Sequence, residues 1–267
     1  MRFSQSQLTK FGKCARQYYY ERILQLPGGE VGSLAVFGNV IHYSIDVYEN
    51  YGYDLDLALR TFKHYWDHPE ELGLTIDFWH RSTNKENLKR RGLDMLIRYH
   101  ELSPWSRGKL IGTEVEFEVP IGDHTISGFI DKLWFRPGQK KVEVIDFKTG
   151  AWVPEKLRYN LQFTVYCYAT ERPEFWKGVK GWEHGYDEFL GWKRAGWWYH
   201  ARKNKMFNAG NRGPADYKRL LLAVEEMYRA IELNVFPLDY SGESCGWCPY
   251  AEEVCGSEMN DPVEVFT

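Results

Sequence analysis

Two residues at the end of an apolar run have the types and the spacing of a metal-dependent hydrolytic site. Asp146 and Lys148 follow the run 142–145 and are separated by Phe147. Because residues i and i+2 of a strand point to the same face, both side chains would reach one site. Asp131, in the preceding strand-like segment, would add a second carboxylate. Carboxylates hold divalent cations beside a phosphate and an amine positions the attacking water, so the pattern predicts phosphodiester cleavage. Such a tripeptide also occurs in ordinary surface strands, so the interpretation depends on the rest of the chain.

The segments around these residues alternate as the strands of a sheet do. Val115, Phe117 and Val119 alternate with three glutamates, namely Glu114, Glu116 and Glu118. This period of two is typical of a strand with one buried face. Pro137-Gly138 separates the segments 126–134 and 141–147 and predicts a turn that lays them antiparallel. Three strands are therefore expected between 111 and 148, with another strand or hairpin at 191–202.

Helical patterns precede and follow these strands. The first helix is capped by Ser4 or Ser6, and a glycine-rich break follows it. Further helices are expected at 38–51, 55–66, 85–102, 154–170 and 214–233. The last would bury an apolar face made of Leu221, Val224, Tyr228 and Ile231. Central strands with helices on both sides predict an α/β fold, with a mixed central sheet and a helical N-terminal insertion.

Length and composition fit one large domain. The chain has 267 residues, 43% of them hydrophobic, and a formal net charge of -3. This is enough apolar material for a core, and the charge argues against a generally basic coat. The sequence contains no apolar stretch of the length that crosses a membrane, and its polar start is unlike a secretory signal. A cytoplasmic protein without a membrane partner is expected.

Basic residues are concentrated in two stretches. One lies between Arg81 and Arg98, and the other lies between Lys193 and Arg212, where it is interleaved with aromatic residues. Solvated helix or strand faces would explain both stretches. Exposed rings can also stack on bases, which favours nucleic-acid binding for the second stretch. The candidate DNA-binding residues are Arg90, Arg91, Lys193, Arg194, Trp197 and Trp198.

Four of the five cysteines have a spacing typical of metal ligands. Cys245, Cys248 and Cys255 are close together near the C-terminus, whereas Cys14 is near the N-terminus. Closely spaced thiolates in a cytosolic chain indicate a metal rather than disulfides, and the spacing fits either zinc or an iron-sulfur cluster. One ligand set would join the two ends of the chain. Cys167 lies in an apolar helical segment and is expected to pack in the core.

The order of several motifs resembles the RecB-like branch of the PD-(D/E)XK nucleases. The closest likeness is to the iron-sulfur members, namely the CRISPR-associated RecB-like exonucleases and the AddB-type nuclease domain. In chain order the motifs are Phe3 to Leu8 with Cys14 and Tyr18 to Tyr20, Gly38 to His42, Gly128 to Asp131, Ile145 to Gly150, Gln162 to Tyr166, and the three-cysteine tail. They span nearly the whole chain. Ala15 departs from the family, where a proline commonly follows the first cysteine.

The resemblance implies a role for each matching residue. The family's metal ligands match His42, Asp131, Asp146 and the main-chain carbonyl of Phe147, a set that suits Mg2+ or Mn2+. Lys148 matches the catalytic lysine. Gln162 and Tyr166 match a motif on one helix face beside the active site and the DNA. Glu114 and Glu116 precede Asp131 by one strand, and one of them could face the site, although alternating glutamates more often mark a solvated face.

The resemblance also implies a restriction-endonuclease-like fold and an iron-sulfur cofactor. Cys14, Cys245, Cys248 and Cys255 match the ligands of a 4Fe-4S cluster that holds the C-terminal tail against the N-terminal helix. The expected organisation is a single domain over 1–267. Within it, 38–108 forms a helical wall or lid, 109–205 a catalytic sheet core, and 240–260 a cluster-binding tail. The wall could form a tunnel for single strands or a passive cap.

The function expected from these residues is a metal-dependent DNA nuclease, an exonuclease acting on single-stranded DNA or DNA ends in processing, recombination or repair. The alternatives are a catalytically silent iron-sulfur module of the same fold that binds DNA or a partner, and a zinc-stapled structural protein. The sequence has no phosphate-binding loop, so any unwinding would come from a helicase partner. Relatives imply recombinase or CRISPR integration partners and ring-like homo-oligomers, and endonuclease side activity stays open.

Overall fold

The computed structural model describes residues 1–81, 83–102, 108–151 and 157–256, and within them the chain forms a mixed sheet between two helical layers. The strands are β1 (Arg2–Ser4), β2 (Lys109–Ile121), β3 (His124–Arg136), β4 (Lys141–Lys148), β5 (Lys193–His200) and β6 (Lys205–Arg212). The order in the sheet is β1-β3-β4-β5-β6, with β2 paired to β3. The expected α/β class and mixed central sheet are confirmed.

The three strands expected between 111 and 148 are β2, β3 and β4. The pairs β2–β3 and β3–β4 are antiparallel, and a short turn at Pro137–Gln139 joins the second pair as the sequence predicted. β5 then lies parallel to β4 and antiparallel to β6. Because β4 and β5 are parallel, their carboxyl ends, Lys148 and His200, meet at one edge of the sheet.

The pairing along β3 leaves a fork in the sheet. β2 pairs with β3 along almost its whole length. On its other edge, β3 pairs with β1 at Thr125 to Ser127 and with β4 from Lys132 to Arg136. The segment 128–131 lies between these two partners. It forms the opening into which the ends of β3 and β4 can present side chains.

Helices cover both faces of this sheet. They are α1 (Gln5–Lys13), α2 (Ala15–Tyr18), α3 (Ser33–Asn50), α4 (Leu55–Asp67), α5 (Lys85–Glu101), α6 (Leu161–Ala169), α7 (Pro173–Lys177), α8 (Gly185–Glu188) and α9 (Pro214–Glu232). Helices α3 to α5 share one core with Ile145, Phe147 and Tyr199 of the sheet. Helices α1, α6 and α9 pack into a second core on the other face. The described part of the region expected to be a wall or lid is thus a packed layer of the fold.

Three helices differ from the expectation. Helix α3 begins at Ser33, five residues before the expected start at 38. The helix expected at 154–170 is observed as α6, after a short 3-10 turn at 157–159, and residues 154–156 lie outside the described residues, as do 103–107 of the wall and 257–260 of the tail. In α9 the buried apolar residues are Tyr217, Leu220, Val224 and Met227. Val224 of the predicted face is therefore buried, and Leu221 and Ile231 are partly buried against the same core.

Aromatic packing attaches the cysteine-rich tail to the N-terminal helices. The Tyr250 and Tyr20 rings lie 5.6 Å apart, and Phe236 stacks on Tyr19 at 4.7 Å. The Arg16 N–H also donates to the carbonyl of residue 237 at 3.2 Å. The two ends of the described chain therefore form one packed unit. None of the described helices combines the length and the hydropathy that a membrane crossing requires.

Candidate metal and catalytic centre

Two buried aspartates lie where β3 and β4 separate. Asp131 and Asp146 are the next residues beyond the last paired positions of the two strands and are 8% and 1% exposed. The Phe147 N–H donates to Asp131 Oδ2 at 2.6 Å, so the backbone of β4 fixes this carboxylate. Burial raises the pKa of each aspartate to about 6, although the charge of Lys148 opposes the rise. Two carboxyls held this close without full hydration need positive charge nearby.

Lys148 supplies part of that charge. Its Nζ lies 2.9 Å from Asp146 Oδ1 and 2.7 Å from Oδ2. Burial disfavours the charged amine, but the charges of Asp146 and Asp131 outweigh this effect and raise the pKa of Lys148. The ammonium is therefore kept charged and fixed beside the carboxylate. The alternation of β4 places both residues on one face, as their spacing predicted.

Helix α6 contributes an amide to the same carboxylate. Gln162 Nε2 donates to Asp146 Oδ1 at 2.9 Å and to the Tyr166 hydroxyl at 2.8 Å. Asn160 caps the first turn of α6 through the Phe163 N–H, which fixes where the helix begins. The structure thus brings Gln162 and Tyr166 to Asp146 from the layer opposite α3.

His42 reaches the centre from α3. Its Nδ1 lies 3.6 Å from Asp131 Oδ2. Burial, helped by the charge of Lys148, lowers the pKa of His42 to about 4, so the ring is neutral near pH 7 and can offer a lone pair to a cation. Gly38 lies one turn earlier, where an added Cβ would be 3.1 Å from Thr149 Oγ1. The absence of a side chain there lets α3 approach the end of β4.

Glu114 is one of the two glutamates of which the sequence predicted that one could face the site. One ligand atom from each of His42, Glu114 and Asp131 lies within 4.8 Å of the others. Lost hydration, together with the charge of Asp131, raises the pKa of Glu114 to about 7. Its φ of +45° is left-handed, which is unusual for a glutamate in a strand and costs conformational energy. The hairpin register puts Glu114 opposite Asp131, whereas Glu116 pairs with Phe129. Both glutamates are exposed, and only Glu114 belongs to the group with His42 and Asp131.

The residues present fit a divalent cation. Asp146 Oδ2 is buried and accepts no hydrogen bond in the described part of the chain, although the Lys148 ammonium is close. Three carboxyls have raised pKa values, so the positive charge within the centre does not fully stabilise their ionised forms. Carboxylate oxygens with one imidazole suit Mg2+ or Mn2+. The predicted role of the Phe147 carbonyl as a ligand stays a prediction.

Two of the residues expected to contact DNA are buried. Arg194 is 3% exposed and donates to the carbonyls of Thr170, Phe189 and Trp192, so it closes the connection between α6 and β5. Trp198 is 6% exposed, and its ring lies 6.0 Å from the Lys148 ammonium. Neither side chain can reach a DNA strand without unfolding its surroundings. The interpretation of these two residues as DNA contacts was wrong, because the alternation of β5 turns them into the core.

The other candidates for DNA contact are at least partly accessible. Trp197 is half-buried and donates to Glu143 Oε1 at 2.8 Å. Lys193 and Arg90 are exposed, and Arg91 is half-buried. Lys193 begins β5, at the end of the strand away from the catalytic residues. Their roles remain predictions.

The four cysteines with metal-ligand spacing gather at the junction between tail and N-terminus. Burial raises the pKa of Cys248, and the neighbouring thiols of Cys14, Cys245 and Cys255 raise it further. Cys14 Sγ also accepts the Gln17 N–H at 3.4 Å. Cys167 is fully buried, so the expectation of a core cysteine is confirmed.

Three comparisons relate the chain to known proteins. The crystal structure of SSO0001 is similar over 94% of this chain and 84% of that chain, with 12% identity and a TM-score of 0.42. A structure described as a "Putative exonuclease" from Eubacterium rectale is similar over 93% and 86%, with 14% identity and a TM-score of 0.49. No curated protein is significantly similar to the chain. A family model, that of the PD-(D/E)XK nuclease superfamily, matches residues 2–256. With a match of this extent, the chain belongs to the PD-(D/E)XK nuclease superfamily.

Proposed function

We propose that this nuclease is a metal-dependent DNA exonuclease that acts on single strands or on DNA ends during DNA processing, recombination or repair. The observation that carries the proposal is the convergence of three potential metal ligands beside a charged lysine. His42, Glu114 and Asp131 lie together, and the Lys148 ammonium contacts Asp146 next to them. A module that only binds DNA would not need this set of acids, amine and imidazole around two buried aspartates.

Each group has a distinct task in hydrolysis. His42, Glu114, Asp131 and Asp146 would hold a divalent cation, which supplies Lewis-acid stabilisation of the charge that develops on the scissile phosphate. Lys148 orients the attacking water and offsets the same charge from the side of β4. Gln162 keeps Asp146 in place through its amide. Water attacks phosphorus in line with the leaving oxygen, which departs and takes up a proton.

The cysteine group is proposed to hold a 4Fe-4S cluster. The support for this is that the charges of Cys14, Cys245 and Cys255 act on Cys248, so the four thiols lie near one another where the tail meets the N-terminal helices. Four cysteine thiolates are the usual ligands of such a cluster, and a zinc ion on the same four thiolates is the alternative.

Digestion of end-labelled DNA tests the catalytic proposal. Anaerobically purified protein, with Mg2+ or Mn2+, should degrade linear single-stranded DNA and leave a circular strand intact. Lys148→Ala should abolish this while keeping the fold, and Lys218→Ala, an exposed lysine on α9, should not. The label released first gives the polarity. Cutting of the circle would show an endonuclease, and full activity of Lys148→Ala would contradict the proposed centre.

Metal analysis tests the cluster separately. The protein should contain iron and sulfide and show a broad visible absorbance that zinc lacks. Cys14→Ser should lose iron and weaken the joined ends of the chain, whereas Cys167→Ser should keep its iron. A colourless, well-folded protein that contains zinc would contradict the proposed cluster and would show that a zinc ion joins the two ends of the chain.

A further inference from the structure

The two basic stretches of the sequence meet at the catalytic edge of the sheet. β5 ends at His200, which pairs with Lys148, and the turn Ala201–Lys203 follows directly. Arg202 in this turn therefore follows, by two positions, the residue that pairs with Lys148. The turn belongs to the second basic stretch. The first stretch forms much of α5, which packs against the same turn.

Buried contacts fix the turn against α5. Ala201 is 1% exposed and belongs to the core that contains Tyr99 of α5 and Phe147 of β4. The Tyr99 and Tyr199 rings lie 5.1 Å apart in an edge-on contact. Arg202 and Arg91 of α5 are half-buried, and Arg91 is near enough for its charge to act on Arg202. Burial lowers the pKa of Arg202, and the charge of Arg91 lowers it further.

Within the part of the chain that the structure describes, no carboxylate pairs with these two arginines as carboxylates pair with their neighbours on α5. On α5, Lys89 binds Asp67 and Arg98 binds Asp94. Arg91 and Arg202, by contrast, form no hydrogen bond or ion pair over residues 1–81, 83–102, 108–151 and 157–256. Two guanidinium groups held together without a carboxylate repel each other, and this arrangement is favourable once an anion lies between them.

We propose that Arg91 and Arg202 form a clamp for one phosphate of the DNA strand beside the catalytic centre. The proposal rests on the proposed function and adds the place where the strand is held. A planar guanidinium matches a phosphate through two parallel N–H···O bonds, and a pair of them grips one phosphate from two elements. The clamped phosphate is a neighbour of the scissile one, because the turn lies beyond the end of β4. The exposed Lys203 next to the clamp extends the positive surface.

Salt-dependent binding in metal-free buffer tests the clamp without relying on hydrolysis. The affinity for a fluorescent single-stranded oligonucleotide is measured by anisotropy at several salt concentrations. Each phosphate contact contributes about 0.7 to the slope of log affinity against log salt. Arg91→Gln and Arg202→Gln should each reduce the slope by up to about 0.7. Arg202→Lys keeps the positive charge, so its slope should stay close to that of the wild type. Arg229→Gln, an exposed arginine on α9 in the other layer, is the matched control and should bind like the wild type.

Thermal stability separates a clamp from a structural role. Because each Arg→Gln change removes like-charge repulsion, the melting temperature should stay the same or rise while DNA binding weakens. Slopes of Arg91→Gln and Arg202→Gln equal to that of Arg229→Gln would overturn the clamp, even if the wild type cuts DNA. Reduced slopes in a protein that cuts no DNA would support the clamp and overturn the catalytic proposal instead. No binding by the wild type would overturn the clamp.

Discussion

Lowering the pH from about 8 to about 6 should weaken the binding of Mn2+ by about 40-fold, since the cation must displace protons from its ligands. Asp131 and Asp146 have pKa values of about 6, so at pH 6 each is half protonated and each weakens binding by a factor of about 2. Glu114, with a pKa of about 7, contributes a factor of about 10. His42 contributes nothing, because its pKa of about 4 leaves it neutral throughout.

The same raised pKa values predict the opposite pH dependence for the folding stability of the metal-free protein. A carboxyl whose pKa is higher in the folded state destabilises the fold as the pH rises from its ordinary value to the raised one. The metal-free protein should therefore be less stable at pH 8 than at pH 5. Added Mn2+ should stabilise it most at pH 8, where the acids are ionised. Melting curves with and without Mn2+ at both pH values check this reversal.

Calorimetric titration with Mn2+ measures the affinity, and repeating it in two buffers of different ionisation enthalpy counts the released protons. Glu114→Gln should bind Mn2+ more weakly at pH 8. Its affinity should fall only about 4-fold between pH 8 and pH 6, because only Asp131 and Asp146 still take up protons, each with a factor of about 2. Glu116→Gln is the matched control and should keep the 40-fold change, since Glu116 lies outside the group formed by His42, Glu114 and Asp131. An affinity that is the same at both pH values, or an unaltered pH dependence in Glu114→Gln, would refute the reasoning.

Three substitutions test the packing around the centre, each by denaturant or thermal unfolding. Gly92→Ala should destabilise by about 1–3 kcal/mol, because the new Cβ would lie 2.0 Å from an aromatic ring of α4, whereas Gly138→Ala meets no atom within 4 Å and should be neutral. Lys132→Met should cost about 3–5 kcal/mol by leaving Glu49 buried without its ammonium 2.7 Å away, and adding Glu49→Leu should recover most of the loss. Arg194→Leu should destabilise by about 3 kcal/mol or more, since several carbonyls lose a charged donor, and leave the salt slope of DNA binding unchanged. Equal stability of each variant and the wild type would contradict these assignments.

Local patterns in the sequence predicted the parts of the centre that depend on local geometry. The i, i+2 spacing of Asp146 and Lys148 placed both on one face, and the i, i+4 spacing of Gln162 and Tyr166 did the same on α6. The hairpin of β3 and β4 followed from a turn at Pro137-Gly138. These relationships need only the periods of strand and helix, so one sequence suffices to find them.

The features that depend on long-range packing were not predictable in the same way. The left-handed conformation of Glu114 depends on how β2 crosses β3, and no local residue pattern indicates it. The burial of Arg194 depends on the path of the chain between α6 and β5. Likewise, Arg202 meets Arg91 only because β5 runs parallel to β4 and ends under α5. A basic stretch in the sequence therefore did not show which arginines are exposed.

The parallel pairing of β1 with β3 has a consequence for how the protein is made. Arg2 pairs with Thr125, a separation of 123 residues (125 minus 2), and closing such a loop costs about 4 kcal/mol in chain entropy. During synthesis the first strand must therefore wait until β3 has emerged from the ribosome. The candidate catalytic residues extend further, from His42 to Tyr166, so a nascent chain that stops before α6 lacks part of the centre. We expect the catalytic centre to be assembled late in synthesis, when most of the fold has already formed.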